Sequence, residues 1–153
     1  MKVLVLNCGS STVKFQVIET AETSTPTHQD HKLVSGLVDH LGGQATFKLA
    51  RAGNAAGTEE NLTLANHEEA VRVIIERLGS SAPDGALQPE AVGHRVVHGG
   101  GLFTEAVAID DQVLAKIESL NDLAPLHNPA AVSGIHAARK IFGKALPMAA
   151  VFD

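Results

Sequence analysis

The start of the chain constrains the fold most. Val3-Leu4-Val5-Leu6 is continuously apolar, as in a strand buried on both faces, and Val13, Phe15 and Val17 then alternate with polar Lys14 and Gln16. A period of two belongs to a strand and not to a helix. Between the two runs stands Asn7-Cys8-Gly9-Ser10-Ser11, a turn sequence. The segment reads as a hairpin that closes on a Gly-Ser-Ser turn.

Residues 21–31, rich in Thr, Ser, His and Pro, read as a loop, and Lys32 to Asp39 as a third strand. Ala45 to Leu49 and Asn61 to Leu64 are further strands, with Arg51 to Glu60 as the loop between them. Asn66 is a helix N-cap with Glu69 completing a capping-box pattern; Ala70, Val71, Ile74 and Leu78 form the apolar stripe, and Gly79 ends the helix. Ala91 to Val97 is a strand closed by His98-Gly99-Gly100-Gly101. Asp110 or Asp111 caps a short helix, and Asn128 caps another that has Pro129 in its first turn. Leu146 to Phe152 reads as a fully buried last strand. Strands first, then helices alternating with strands, predict an α/β layer on a mixed sheet, antiparallel early and parallel later.

A chain of 153 residues suits one domain, and its net charge of −5 offers no basic excess for nucleic acid or an anionic membrane. A lone cysteine, Cys8, excludes an internal disulfide. No apolar run reaches the roughly 18–20 residues of a membrane span, and no signal-peptide pattern opens the chain, so a cytoplasmic location is expected.

Three segments carry candidate chemistry. In Asn7 to Lys14, Gly9 lets a ligand approach the backbone, and Ser10, Ser11 and Thr12 offer hydroxyls. The segment matches neither a Walker loop nor a dinucleotide fingerprint, and a plain structural turn stays open. In His94-Arg95-Val96-Val97-His98-Gly99-Gly100, Arg95 interrupts an apolar strand. Burial there requires an anionic partner, either an internal carboxylate or a ligand. On strand alternation Val97 shares its face. His94 and His98 suit a metal pair poorly, because their spacing fits a helix better than a strand and no Cys or carboxylate cluster accompanies them. In Leu123-Ala124-Pro125-Leu126-His127-Asn128-Pro129, His127 precedes a helix N-terminus, where it either meets an anion or packs at the loop. Asp153 stands at the carboxyl end of the last strand, where open α/β sheets gather ligands.

In this order, these segments resemble acetate kinase. The family's Asn-x-Gly-Ser-Ser-Ser-x-Lys is matched by Asn7 to Lys14, with Thr12 in place of serine. His-Arg-x-Val-His-Gly-Gly is matched by residues 94–100, Leu-Ala-Pro-Leu-His-Asn-Pro by residues 123–129, and Val-Phe-Asp by residues 151–153. The resemblance implies a ribonuclease-H-like domain of the actin-like ATPase group. Residues 1–153 would be the N-terminal domain, truncated, with the C-terminal nucleotide-binding domain absent. It implies reversible in-line phosphoryl transfer between ATP and acetate, giving ADP and acetyl phosphate, with Mg²⁺ as cofactor. By motif, Arg95 and Asp153 are catalytic, and Arg95, Val97, Leu126 and His127 bind the acid. Asn7, Ser10, Thr12 and Lys14 face the ATP phosphates, and Asn7 also faces the metal. The resemblance further implies a homodimer for the complete chain and an inactive fragment. Propionate or butyrate kinase shares the motifs. A non-catalytic nucleotide-binding module of the actin-like group is a second alternative.

Overall fold

The computed structural model describes residues 1–21, 29–54 and 56–153. Most of the loop expected over residues 21–31 lies outside the described residues. The hairpin forms as expected. Strand β1 (Lys2–Cys8) pairs antiparallel with β2 (Val13–Glu19) from Lys2↔Glu19 to Cys8↔Val13. Strands β3 (His31–Asp39), β4 (Gly43–Arg51) and β5 (Thr58–Leu64) extend the antiparallel half outward. The loop between β4 and β5 is shorter than the sequence suggested, because both strands run into it.

Helix α1 (His67–Ser81) leads to β6 (Ala91–Val96), which lies parallel to β1. A two-residue strand, β7 (Val107–Ala108), precedes α2 (Asp111–Ser119), a short 3₁₀ turn (Asn121–Leu123) and α3 (Asn128–Phe142). Strand β8 (Met148–Phe152) then lies between β6, its parallel neighbour, and β7. The sheet order is β5-β4-β3-β2-β1-β6-β8-β7, the mixed α/β sheet that the element order predicted.

The caps of the first two helices act as read, and the third does not, because Asn128 lies inside α3 rather than at its N-cap. The Asn66 side chain accepts from the Glu69 amide, and Asp110 accepts from the Val113 amide. Glu69 reaches back to the Ala65 amide, one residue beyond the usual capping box. Gly79 does not end α1. The helix continues to Ser81, with Leu78 buried on the core and the Ser80 hydroxyl donating back to the Glu76 carbonyl. Arg77 ties α1 to β5 by a two-pronged bond to Glu60 at 2.9 and 2.8 Å.

One sheet face makes the core. Leu4, Leu6, Val13, Phe15, Val17 and Val34 pack with Ala70, Val71 and Ile74 of α1 and with Ala130, Ala137 and Ala138 of α3. A second cluster joins Val96 and Ala150 to Leu114 and Ile117 of α2 and to Ile135 of α3. Small residues let α3 approach closely: a Cβ on Gly134 would stand 2.6 Å from the Cys8 sulfur. Two expectations need correction here. Strand β1 is buried on one face only, because Val3, Val5 and Asn7 lie on the face opposite the core and are half-buried. Strand β8 is likewise not fully buried, since Val151 points away from the helices and is exposed.

Candidate active site

The registers bring the candidate residues to one edge. Asn7 is opposite Lys14, and Arg95 is opposite Val151, so all four share the uncovered face. Val5, Asn7, Lys14, Gln16, Leu37 and Arg95 are among the residues lining a cavity of about 480 Å³ on that face. At the carboxyl end of β1, the Gly9 amide donates to the Thr12 carbonyl at 2.8 Å and closes the Gly-Ser-Ser turn.

Arg95 is not buried, contrary to the reading of its apolar strand; its face lacks the helices, and its side chain stays half-exposed. It does have an anionic partner. Nε donates to Asp153 Oδ1 at 2.8 Å, and Nη2 donates to Asp153 Oδ2. Nη1 reaches Asn7 Oδ1 at 3.4 Å. This guanidinium therefore pairs with an internal carboxylate and still lies beside the residue that begins the Gly-Ser-Ser motif. The bonds to Arg95 hold the Asp153 carboxyl below the usual carboxylate range, and the same bonds push Arg95 further up. The pair stays ionised at any neutral pH.

Asp153 occupies the Nε–Nη2 edge of the guanidinium. Of the five N–H donors of arginine, two bond Asp153 and one reaches Asn7, which leaves two on Nη1 and Nη2 for a second anion. Lys14, exposed on β2 two strands away, adds a second positive charge on that face. Ser10 is exposed and Thr12 half-buried on the turn above.

The remaining candidates sit on two other segments, Val97 just past β6 and Leu126 and His127 just before α3. Strand β6 ends at Val96, so Val97 stands in the following turn and alternation no longer fixes its direction. Leu126 is 73% exposed, and His127 is exposed at the head of α3 without capping it. Asn128 is not the cap either. It lies inside the helix, fully buried, and its amide bonds the backbone of His98 from both atoms. Spacing could not reveal this contact, because an asparagine before a proline at a helix start is also an ordinary cap. His67, the first residue of α1, also escaped the sequence reading; its Nε2 lies 2.5 Å from the Gly9 carbonyl.

Two neighbours of the site are chemically quiet. Burial pushes the Cys8 thiol up to about 12, so no thiolate nucleophile forms there. His94 faces the core behind Arg95, and burial lowers it to about 4; its Nε2 has no hydrogen-bond partner among the described residues. Below that value it must charge inside the core, whereas the unfolded chain protonates it near 6.5. Between those values the unfolded state binds more protons, so stability falls as pH drops from about 6.5 to about 4. The expected loss is about 3 kcal/mol. His94→Leu should flatten this slope in urea unfolding at pH 7 and pH 4.5; an unchanged slope would assign the effect to other groups.

Among the described residues no three His, Cys, Asp or Glu side chains gather as a metal cluster. No helix of the described residues is long and apolar enough to cross a membrane.

Comparison with known proteins adds to this geometry. The model of the Acetokinase family matches residues 2–153. An acetate kinase of Chloroherpeton thalassium is 42% identical over 100% of this chain and 39% of its own length. One of Shewanella loihica is 45% identical over 99% of this chain and 36% of its own length. The crystal structure of Porphyromonas gingivalis acetate kinase superposes with a TM-score of 0.82 at 36% identity, covering 99% of this chain and 37% of that one. A propionate kinase structure from Francisella tularensis gives the same TM-score of 0.82 at 35% identity, over 99% of this chain and 36% of that one. The chain thus spans under two fifths of the length of the relatives it matches.

Proposed function

Because this chain belongs to the acetokinase family, we propose that residues 1–153 are the N-terminal ribonuclease-H-like domain of an acetate kinase. The complete enzyme transfers the γ-phosphoryl group of ATP to acetate in line, giving acetyl phosphate and ADP. Arg95 carries the reading: Asp153 fixes it side-on, and its Nη1 reaches Asn7, the residue that begins the Gly-Ser-Ser motif. Bringing a carboxylate to a triphosphate joins two anions, so the protein must supply positive charge at their meeting point. Arg95 grips the acetate carboxylate and then the transferring group. Lys14, Ser10, Thr12 and Asn7 face the phosphates. Val97 and Leu126 line the methyl pocket, with His127 beside it.

The oxygen donors at this edge suit Mg²⁺, which keeps several waters and takes one or two protein oxygens. Asn7 Oδ1 has only a long contact to Arg95, so a lone pair stays available to hold the ion, and Asp153 would help order its waters. When bound, the ion neutralises phosphate charge. The complete protein is proposed to be a cytoplasmic homodimer.

A second reading has its own support, since a propionate kinase structure fits the chain as well as an acetate kinase does. One methylene discriminates by only ~1–3 kcal/mol. Measuring kcat/KM for acetate, propionate and butyrate on the complete enzyme tests the proposal. Acetate should be preferred, and a preference for propionate or butyrate would favour the second reading. The isolated 153 residues should form no acetyl phosphate from ATP and acetate; turnover by them alone would contradict the proposed division of labour.

A further inference from the structure

An asparagine at a helix start ordinarily caps its own helix and gains about 1 kcal/mol by doing so. Asn128 forgoes this. It lies fully buried in the first turn of α3, and its side-chain amide faces another segment. Oδ1 accepts from the His98 amide at 3.1 Å, and Nδ2 donates to the His98 carbonyl at 3.0 Å. One planar amide satisfies both backbone groups of a residue just past the end of β6. The turn beyond is stiffened again, because the Gly100 amide donates to His98 Nδ1 at 2.8 Å. The bond therefore joins two segments distant in sequence: the end of the Arg95 strand with Val97, and the loop bearing Leu126 and His127.

The Gly-Ser-Ser turn is held by different contacts. His67 Nε2 lies 2.5 Å from the Gly9 carbonyl, and the Leu41 amide donates to the Ser11 carbonyl at 3.0 Å. His67 begins α1, whereas Asn128 begins α3, and the two side chains share no partner.

We infer that Asn128 is a positioning residue for the carboxylate half of the site, and that His67 independently positions the phosphate half. This rests on the proposed function, since the two halves are defined by it. Neither side chain touches the reacting groups; each fixes the loop that does. Replacing Asn128 by alanine leaves the His98 amide and carbonyl without their partner and lets the two acid-binding segments drift apart. Aspartate keeps the acceptor for the His98 amide but sets an oxygen against the His98 carbonyl, so it should fail in the same direction.

The test uses the complete enzyme with Asn128→Ala, Asn128→Asp and His67→Ala. Each variant is read by its KM for acetate, its KM for ATP–Mg²⁺ and amide hydrogen exchange. Both Asn128 variants should raise KM for acetate about tenfold or more and leave KM for ATP within about twofold, and His67→Ala should do the reverse. A merely structural role would lower stability or kcat without this split. Equal rises in both KM values, in either position, would overturn the inference. If Asn128→Ala does not fold, Asn128→Asp carries the same test. Exchange at the His98 amide should quicken in Asn128→Ala, which removes its acceptor, while α3 stays protected; unchanged exchange in that variant would overturn the inference whatever the kinetics. A parent enzyme that phosphorylates no short carboxylic acid would instead sink the functional reading, and the His98 exchange would still report on the clamp itself.

Discussion

Arg95→Ala in the complete enzyme is expected to lower kcat/KM for acetate by about 10²–10³, the usual loss when one preorganised charge contact to a transition state is removed. The loss should fall mostly on kcat, because charge builds up where the carboxylate and the phosphoryl group meet. Folding should hardly change. The side chains of Arg95 and Asp153 are 48% and 41% exposed, and a pair this wet contributes about 0–1 kcal/mol to stability. The melting temperature of the variant should therefore stay within a few degrees of the parent. Arg95→Lys should recover little activity, since an ammonium cannot bond Asp153 along one edge and a ligand along the other. Steady-state kinetics with thermal melts on the same samples checks both halves. Near-normal kcat in Arg95→Ala would remove Arg95 from the mechanism.

Asp153→Ala is expected to cost nearly as much, about 10²-fold in kcat, by a different route. Asp153 accepts from Nε and Nη2 and so sets the plane of the guanidinium. Without it, Arg95 keeps its charge but loses its aim, and it is left with the long bond to Asn7 Oδ1 at 3.4 Å. Asp153→Asn should not rescue the enzyme, because one amide oxygen can serve Nε while the amide hydrogens oppose Nη2. The double variant Arg95→Ala/Asp153→Ala should be little worse than either single one, since the two act as a unit. Fully additive losses would contradict a shared role. Initial rates of acetyl phosphate formation by the four proteins decide this.

Much of the fold was legible because local chemistry and global packing agree. The period of two in Val13, Phe15 and Val17 and the turn at Gly9 defined the hairpin, and Asn66 and Asp110 marked helix starts that the structure bears out. The failures share a cause. Apolar runs at Val3–Leu6 and Leu146–Phe152 say that a strand is buried somewhere, but not whether helices cover one face or two. Here Val5 and Val151 lie on the open side. Gly79 is a helix stop only if the chain turns away after it, and the burial of Leu78 and Ala82 carries α1 onward to Ser81.

The candidate site was legible as residue types and not as partners. Arg95 announced a need for an anion, yet the anion is Asp153, 58 positions away, and only the parallel pairing of β6 with β8 brings them together. The contacts of Asn128 with His98 and of His67 with Gly9 span 30 and 58 positions. Each residue type has an ordinary local use that hides the long-range one. Spacing reveals contacts along an element, whereas contacts between elements depend on register, which the sequence specifies only through burial.

The most direct measurement is a crystal structure of the complete enzyme with Mg²⁺–ADP, acetate and a planar phosphoryl mimic such as aluminium fluoride. The outer Nη edge of Arg95 should lie about 2.7–2.9 Å from both an acetate oxygen and the mimic, while Asp153 keeps the inner edge. Acetate bound elsewhere, with Arg95 still engaged by Asp153 alone, would contradict the account.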